Sequence, residues 1–444
     1  MEIRKKDILV CGFALFAIFF GAGNLIFPPY LGVMSGDRWY IAMGAFILSD
    51  PVLPILGVIV SASLGGKADD LGKRVSPVFA TLLGMLSILI IGPLYAIPRT
   101  GATTHEIFIR PLFPAVPSWI SCLVFFAVTL YITLKPGKVI DFIGKYLTPA
   151  LLLILGAIIA ISIIDPPYAK ETTEATNLFT KGFLEGYQTM DALCASLIAG
   201  IMIADLSRRG YTDKKIQFKA SIQVGMVAFV LLALVYGGLT YAGATVGAHF
   251  DTDVERTALL IGMVELILGN TGKVFMGIAT ALACLTTSTG LVSICGNYFE
   301  SISGGKLKYK PIVYVCVAIS FVLSQIGVDG LISVAGPVLL AIYPVVIVLI
   351  FMSIFDKKIK YNWTYTGAVV GAFAVSIVQS VSLIVGAKQG DAIFYWAEKT
   401  KLLPLSQFGF GWVIPAVIGG CLFTLISMVT QKGAIHSETL DQAE

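Results

Sequence analysis

Along this chain, run after run of apolar residues ends in a short polar loop, and that alternation leaves few folds open. A bilayer core takes about 20 apolar helical residues to cross. Inside it an unpaired backbone N–H or C=O is costly, so each crossing must close its own hydrogen bonds as a helix. The sequence predicts twelve crossings, at residues 8–35, 39–64, 76–103, 117–134, 139–164, 178–206, 215–248, 272–301, 311–326, 330–354, 363–387 and 408–430. Several exceed the minimum and leave room for tilt; the ninth is short. A chain of 444 residues that is 57% hydrophobic and 13% charged exposes more apolar surface than a soluble fold can bury. The fold class expected is an all-α integral membrane protein.

Lysine and arginine orient it. With the N-terminus in the cytoplasm, the inner loops carry Arg4, Lys5 and Lys6; Lys67, Lys73 and Arg74; Lys135, Lys138 and Lys145; Arg208, Arg209, Lys214, Lys215 and Lys219; Lys306, Lys308 and Lys310; Lys357, Lys358 and Lys360; and Lys432. Every short inner loop is basic, so both termini are expected inside. One outer loop, residues 251–270, has apolar residues at helical spacing with Glu265 among them. It predicts a short amphipathic helix on or in the outer vestibule, or a loop helix with only a packing role.

Several function classes are absent from the motifs. The net charge is +4 and the basic residues are dispersed, so no nucleic acid is expected as a partner. No phosphate-binding loop is present; "GNTGKV" lacks the spacing and the hydroxyl. "GAGNLI" lacks the third glycine of a dinucleotide site. His105, His249 and His436 are far apart, and the seven cysteines are scattered through apolar runs without metal spacing. No nucleophile stands with a base, so no enzyme is expected. The first apolar run has no cleavage site after it and should remain as a helix.

The first crossing contains "FFGAGNLIFPPY", residues 19–30. Two glycines, an asparagine and two prolines are a poor choice for a plain anchor. One reading is close helix packing through Gly21 and Gly23, with a kink at Pro28. The other is a functional break: the half-helix that begins there points free N–H groups at a cavity, the one that ends there points free carbonyls, each worth roughly half a charge. Glycine lets a ligand reach the backbone, and Asn24 adds an oxygen.

The sixth crossing, "GYQTMDALCASLIAGIMIAD", places Asp191 at membrane depth, followed by small residues. A break is expected around residues 191–197. Asp191 could coordinate a cation, carry a proton, bind a substrate ammonium or satisfy unwound N–H groups. Asp205 reads as an inner-surface charge. In the eighth crossing, Thr286, Thr287, Ser288 and Thr289 cover every face of a helix. They either bond back one turn or, with the Ala283 carbonyl, offer hard oxygens to a cation. Tyr95 reads as core, Arg99 as an outer gate or interface residue, and Asp50 as hydrogen-bonded within the bundle.

"FFGAGNLIFPP" together with "GYQTMDAL" resembles the branched-chain amino acid:cation symporters, over nearly the whole chain. That resemblance implies a leucine-transporter-like fold. Residues 1–164 and 178–354 would be inverted five-helix repeats, 363–430 two peripheral helices and 431–444 a cytoplasmic tail, with helices 1 and 6 discontinuous. It implies a Na+ site from Ala17, Phe20, Ala283, Thr286 and Thr287. Substrate would lie between Phe20, Gly21, Ala22, Gly23 and Asn24 on one side and Asp191, Cys194, Ala195 and Ser196 on the other. Cys194 stands where a threonine ligand would serve a second Na+. The activity implied is import of leucine, isoleucine and valine across the plasma membrane by Na+ symport with alternating access. Its partners would be an aliphatic amino acid and the bilayer, with no obligate protein. The rivals are H+ coupling through Asp191 and an amino-acid sensor without coupled transport.

Overall fold

The computed structural model describes residues 3–66, 70–134, 138–168, 170, 172, 175–250 and 254–430. The expected tail at 431–444, Lys67, Lys135 and the side chains of Ala22 and residues 138–150 lie outside the described residues. The helices are α1 (Lys5–Phe19), α2 (Ala22–Ser35), α3 (Trp39–Ile47), α4 (Leu53–Leu64), α5 (Pro77–Leu89), α6 (Ala96–Thr104), α7 (Ser118–Leu134), α8 (Lys138–Ile164), α9 (Leu178–Tyr187), α10 (Asp191–Arg208), α11 (Lys214–Val246), α12 (Arg256–Ile302), α13 (Tyr309–Ser324), α14 (Val328–Ile354), α15 (Asn362–Ile384), α16 (Ala392–Lys401) and α17 (Val413–Thr430).

Among the described residues, seven helical stretches are long and apolar enough to cross a membrane, from Val413–Thr430 with 18 residues to Arg256–Ile302 with 47. The pair α9 and α10, bent by 46°, makes an eighth. Ser118–Leu134, Leu151–Ile164 and Tyr309–Ser324 are shorter apolar helices. The protein is therefore a multi-pass membrane protein. The count differs from twelve partly because Gly23–Leu64 runs through the turn at Gly36–Arg38, which the sequence reads as a loop between two crossings.

Four interruptions matter for the site. Phe20 (ψ 83°) and Gly21 (φ −103°, ψ −177°) leave the helix between α1 and α2. Asp50 (φ −150°, ψ 111°) does so between α3 and α4, ahead of a cis bond to Pro51. Gly92 (φ −91°, ψ −122°) does so between α5 and α6. Between α9 and α10 the chain tightens through N–H bonds from Gln188, Thr189 and Met190 to the carbonyls three residues back, and Met190 turns it in the left-handed region (φ 67°). A methionine there is strained, as backbones at functional sites often are. This corrects the expected break at 191–197, which is regular helix. Its small residues serve packing: a Cβ on Gly57 of α4 would lie 2.7 Å from the Ala195 Cβ.

In the segment at 251–270 a short amphipathic helix does form, from Arg256 up to a break at Gly269, and it has the packing role. It is the start of α12, and the break at Gly269 (φ 70°, ψ −171°) is a backbone that favours glycine. Leu259, Leu260, Met263 and Val264 are fully buried, so its apolar stripe faces protein rather than a membrane surface; Glu265 pairs at 2.8 Å with Lys273 on the exposed side.

Packing is closest where glycines remove side chains. A Cβ on Gly32 of α2 would lie 2.1 Å from the Thr240 oxygen, and one on Gly243 of α11 would lie 2.1 Å from the Pro29 oxygen. In α9, a Cβ on Gly182 would lie 2.2 Å from the Ala42 oxygen, and one on Gly186 would lie 2.5 Å from Ser49. So α1 and α2 lie along α11, while α9 and α10 lie along α3 and α4.

Candidate functional site

The interruptions meet. Asn24 sits in the first turn of α2, where N–H groups have no partner one turn back. Its side-chain Nδ2 lies 3.1 Å from Asp50 Oδ2, 3.0 Å from Asp191 Oδ2 and 2.5 Å from the Tyr236 hydroxyl. An amide nitrogen has two protons, so three oxygens compete for two donations. Asp50 and Tyr236 are fully buried and Asn24 nearly so. Three of the four interruptions supply these groups: α2 begins with Asn24's turn, α10 begins with Asp191, and Asp50 is the non-helical residue of its own.

Arg99 of α6 closes the polar end. It is 5% exposed, donates from Nη1 to the Gln188 carbonyl at 2.7 Å and lies over the Phe27 ring at 5.6 Å. A Cβ on Gly23 would be 2.6 Å from its Nη2. Gly23 is therefore glycine because the guanidinium lies against the backbone.

A cavity of about 90 Å³ opens beside these groups. Gly21, Gly23, Asn24, Arg99, Thr189 and Asp191 form its polar part. Ile91, Cys194, Leu197, Ile198 and Leu291 form an apolar wall, with Thr287 across from them. Ile18 of α1 and Ile201 of α10, both exposed, line it toward the end of the molecule that carries Lys5 and Arg208.

A second polar network lies over Phe27. Arg256 bonds Glu185 at 2.7 Å and Asp329 at 2.8 Å, and its guanidinium covers the Tyr30 ring at 4.1 Å. Glu106 accepts from the Thr257 hydroxyl at 2.6 Å and from the Val328 N–H at 2.9 Å. These bonds join α2, α9, α12 and α14 above Phe27. At the opposite end, Arg209 joins Asp205 at 2.9 Å and Asp7 at 3.3 Å. Tyr211 donates to Asp7 at 2.7 Å, and that bond, ahead of Arg4 and Arg209, holds the Asp7 carboxyl below its usual range.

Of the substrate residues expected from sequence, Gly21, Gly23, Asn24, Asp191 and Cys194 line the cavity. Ala195 and Ser196 do not: Ala195 is fully buried against α4, and the Ser196 hydroxyl meets that of Ser61 at 3.0 Å. The Phe20 ring stacks between Phe16 and Tyr236. The backbone of Ala22 begins α2, and its side chain lies outside the described residues. Of the expected Na+ ligands, Thr287 faces the cavity. Thr286 instead donates to the Ala283 carbonyl at 2.8 Å, so those two oxygens are engaged with each other. Ala17 and Phe20 end α1 on the other side. Sequence reasoning passed over Asp50 and Tyr236 as site residues and left Arg99 between two peripheral roles. For Asp50 the available signal was an acid beside proline inside an apolar run; for Tyr236 there was none.

A family model described as branched-chain amino acid transport protein matches residues 4–430. The branched-chain amino acid permease BraB of Bacillus subtilis (strain 168) is 37% identical over 437 residues, covering 96% of this chain and 97% of that protein. The permease BrnQ of Escherichia coli (strain K12) is 33% identical over 426 residues, covering 94% of each. Among solved structures, Mhp1, a nucleobase-cation-symport-1 family transporter, in a closed conformation with bromovinylhydantoin bound, is similar at TM-score 0.60 and 15% identity, covering 96% and 95% of the two chains. Its inward facing conformation is similar at TM-score 0.59 and 13% identity, covering 94% and 91%. At that identity the likeness is one of fold.

Proposed function

The chain belongs to the branched-chain amino acid transport proteins, and from that premise we propose that it imports leucine, isoleucine and valine across the plasma membrane by Na+ symport with alternating access. The observation that carries this is the cavity: polar groups gather at one end, at the helix interruptions, and an aliphatic wall forms the rest. A zwitterion with a branched side chain fits that division. Its carboxylate would meet the free N–H groups of α2, beside Arg99, and its side chain the wall of Ile91, Ile198 and Leu291. Burying a leucine side chain contributes roughly 1.5–3 kcal/mol.

On this reading α1 with α2, and α9 with α10, are single crossings broken at mid-depth, and residues 1–164 and 178–354 are inverted repeats. The crossed packing supports it: α1 and α2 on α11, and α9 and α10 on α3 and α4, are equivalent pairs if the first crossing corresponds to the sixth and the second to the seventh. With the termini inside, the network around Arg256 closes the outer end, and the cavity reaches toward the cytoplasm past Ile18 and Ile201. That is an inward-facing form. Na+ would draw the end of α1 toward Thr287, with Thr286 released from its back-bond.

Two measurements test this. Proteoliposomes with an imposed Na+ gradient should concentrate radiolabelled leucine, with isoleucine and valine competing and glutamate inert. Failure of all three to accumulate under either a Na+ or a pH gradient would leave a sensor as the better reading. Cys194 lines the cavity and Cys421 is exposed at the periphery. In a Cys421→Ser background, leucine should slow alkylation of Cys194 by about tenfold at saturation, as expected for a ligand that excludes the reagent from its own site. Equal rates with and without leucine would remove the cavity from the substrate path.

A further inference from the structure

Two carboxylates face one amide at the cavity, and the groups around them leave their charge unbalanced. Asp50 and Asp191 each place Oδ2 within 3.1 Å of Asn24 Nδ2. Asp50 is fully buried, and among the described residues its Oδ1 has no hydrogen-bond partner. The groups that face the pair come from every neighbouring element: Asn24 of α2, Arg99 of α6, Thr189 before α10, Cys194 of α10, Tyr236 of α11 and Tyr343 of α14. Of these, Arg99 alone carries a positive charge, and it donates to the Gln188 carbonyl. Two negative charges and one positive leave the cluster one short. Buried carboxylates this close do not both ionise without compensation. A zwitterionic substrate adds no net charge and cannot supply it.

We propose that Asp50 and Asp191 together bind one monovalent cation, a proton or Na+, whose occupancy is coupled to substrate binding, at a site separate from the hydroxyls of α12. As a proton it joins one carboxyl oxygen to the other. As Na+ it takes the bare Oδ1 of Asp50 and the neighbouring oxygens. The inference rests on the transport reading and adds to it a carboxylate-based ion site centred on Asp50, deeper than the cavity wall.

The test is leucine binding by the purified full chain in lipid nanodiscs. It is measured at alkaline pH without Na+, at acidic pH without Na+, and at alkaline pH with Na+. Wild type is expected to gain about tenfold or more in affinity from one of the two ions, a typical coupling strength; which one identifies the cation. Asp50→Asn, and separately Asp191→Asn, are expected to reduce that gain to about twofold or less. Full retention of the gain in Asp50→Asn overturns the proposal. So does its selective loss in Thr287→Ala alone, which would leave the transport reading intact with the ion on α12. Should the aspartate variants fail to fold, proteoliposomes of the Thr287→Ala variant decide: leucine entry must still carry positive charge inward, and electroneutral entry overturns the proposal. If wild type binds none of leucine, isoleucine and valine, the transport reading itself falls.

Discussion

Asn24→Leu is expected to abolish uptake and to lower thermal stability more than any other single change at the cavity wall. Leucine has the same number of side-chain heavy atoms as asparagine, branched at the same carbon, so the change removes hydrogen bonds without opening a hole. The Asn24 amide is the common partner of Asp50, Asp191 and Tyr236. Removing one partner from a buried charged cluster typically costs about 3–5 kcal/mol, because the remaining charges stay buried and uncompensated. Uptake by the variant is expected to fall at least about a hundredfold, given that 1.4 kcal/mol is a factor of ten in an equilibrium constant. The check is a melting curve of purified protein alongside leucine uptake per folded molecule. A melting temperature within error of wild type would mean that the amide is not the keystone of the cluster.

The second large effect lies far from the cavity chemistry. Gly243→Leu is expected to prevent accumulation of folded protein in the membrane. The Cβ would lie 2.1 Å from the Pro29 oxygen and 2.8 Å from the Pro29 carbonyl carbon. Backbone atoms cannot turn aside as a side chain can, so α2 and α11 must separate along their whole contact. Overpacking usually costs about 1–3 kcal/mol, and more where nothing can rotate away. Gly44→Leu is the control, since a Cβ there meets nothing within 4 Å. The readout is the monodisperse fraction on size-exclusion chromatography. Similar fractions for the two variants would show that the seam yields.

The first interruption was legible in the sequence because Gly21 stands at it, although Asn24, Pro28 and Pro29, which also suggested a break, lie inside α2. Asp191 was legible as an acid in an apolar run. The second break was misplaced because its turn is made by Met190, whose left-handed backbone (φ 67°) leaves no mark in the sequence. The small residues that follow it suggested unwinding but are there to let α10 approach α4. Asp50 could be seen but not assigned, since its role depends on Asn24 and Asp191, 26 positions away from the one and far along the chain from the other. Pairings between distant segments are tertiary facts, and local composition carries no trace of them. The hydroxyls of α12 were read as a group, whereas the structure divides them: Thr287 faces the cavity and Thr286 turns back on its own helix.

The glycine seams bind α2 to α11 and α9 to α3 with hardly an atom between the backbones. Rods joined that tightly swing as one piece or not at all. If transport proceeds by such a swing, Asn24, Asp50, Asp191 and Tyr236 ride together, and an ion held among them crosses inside a closed fist. Arg99 and Thr287 stand on other helices, so their grip on the passengers is what the stroke must break and remake.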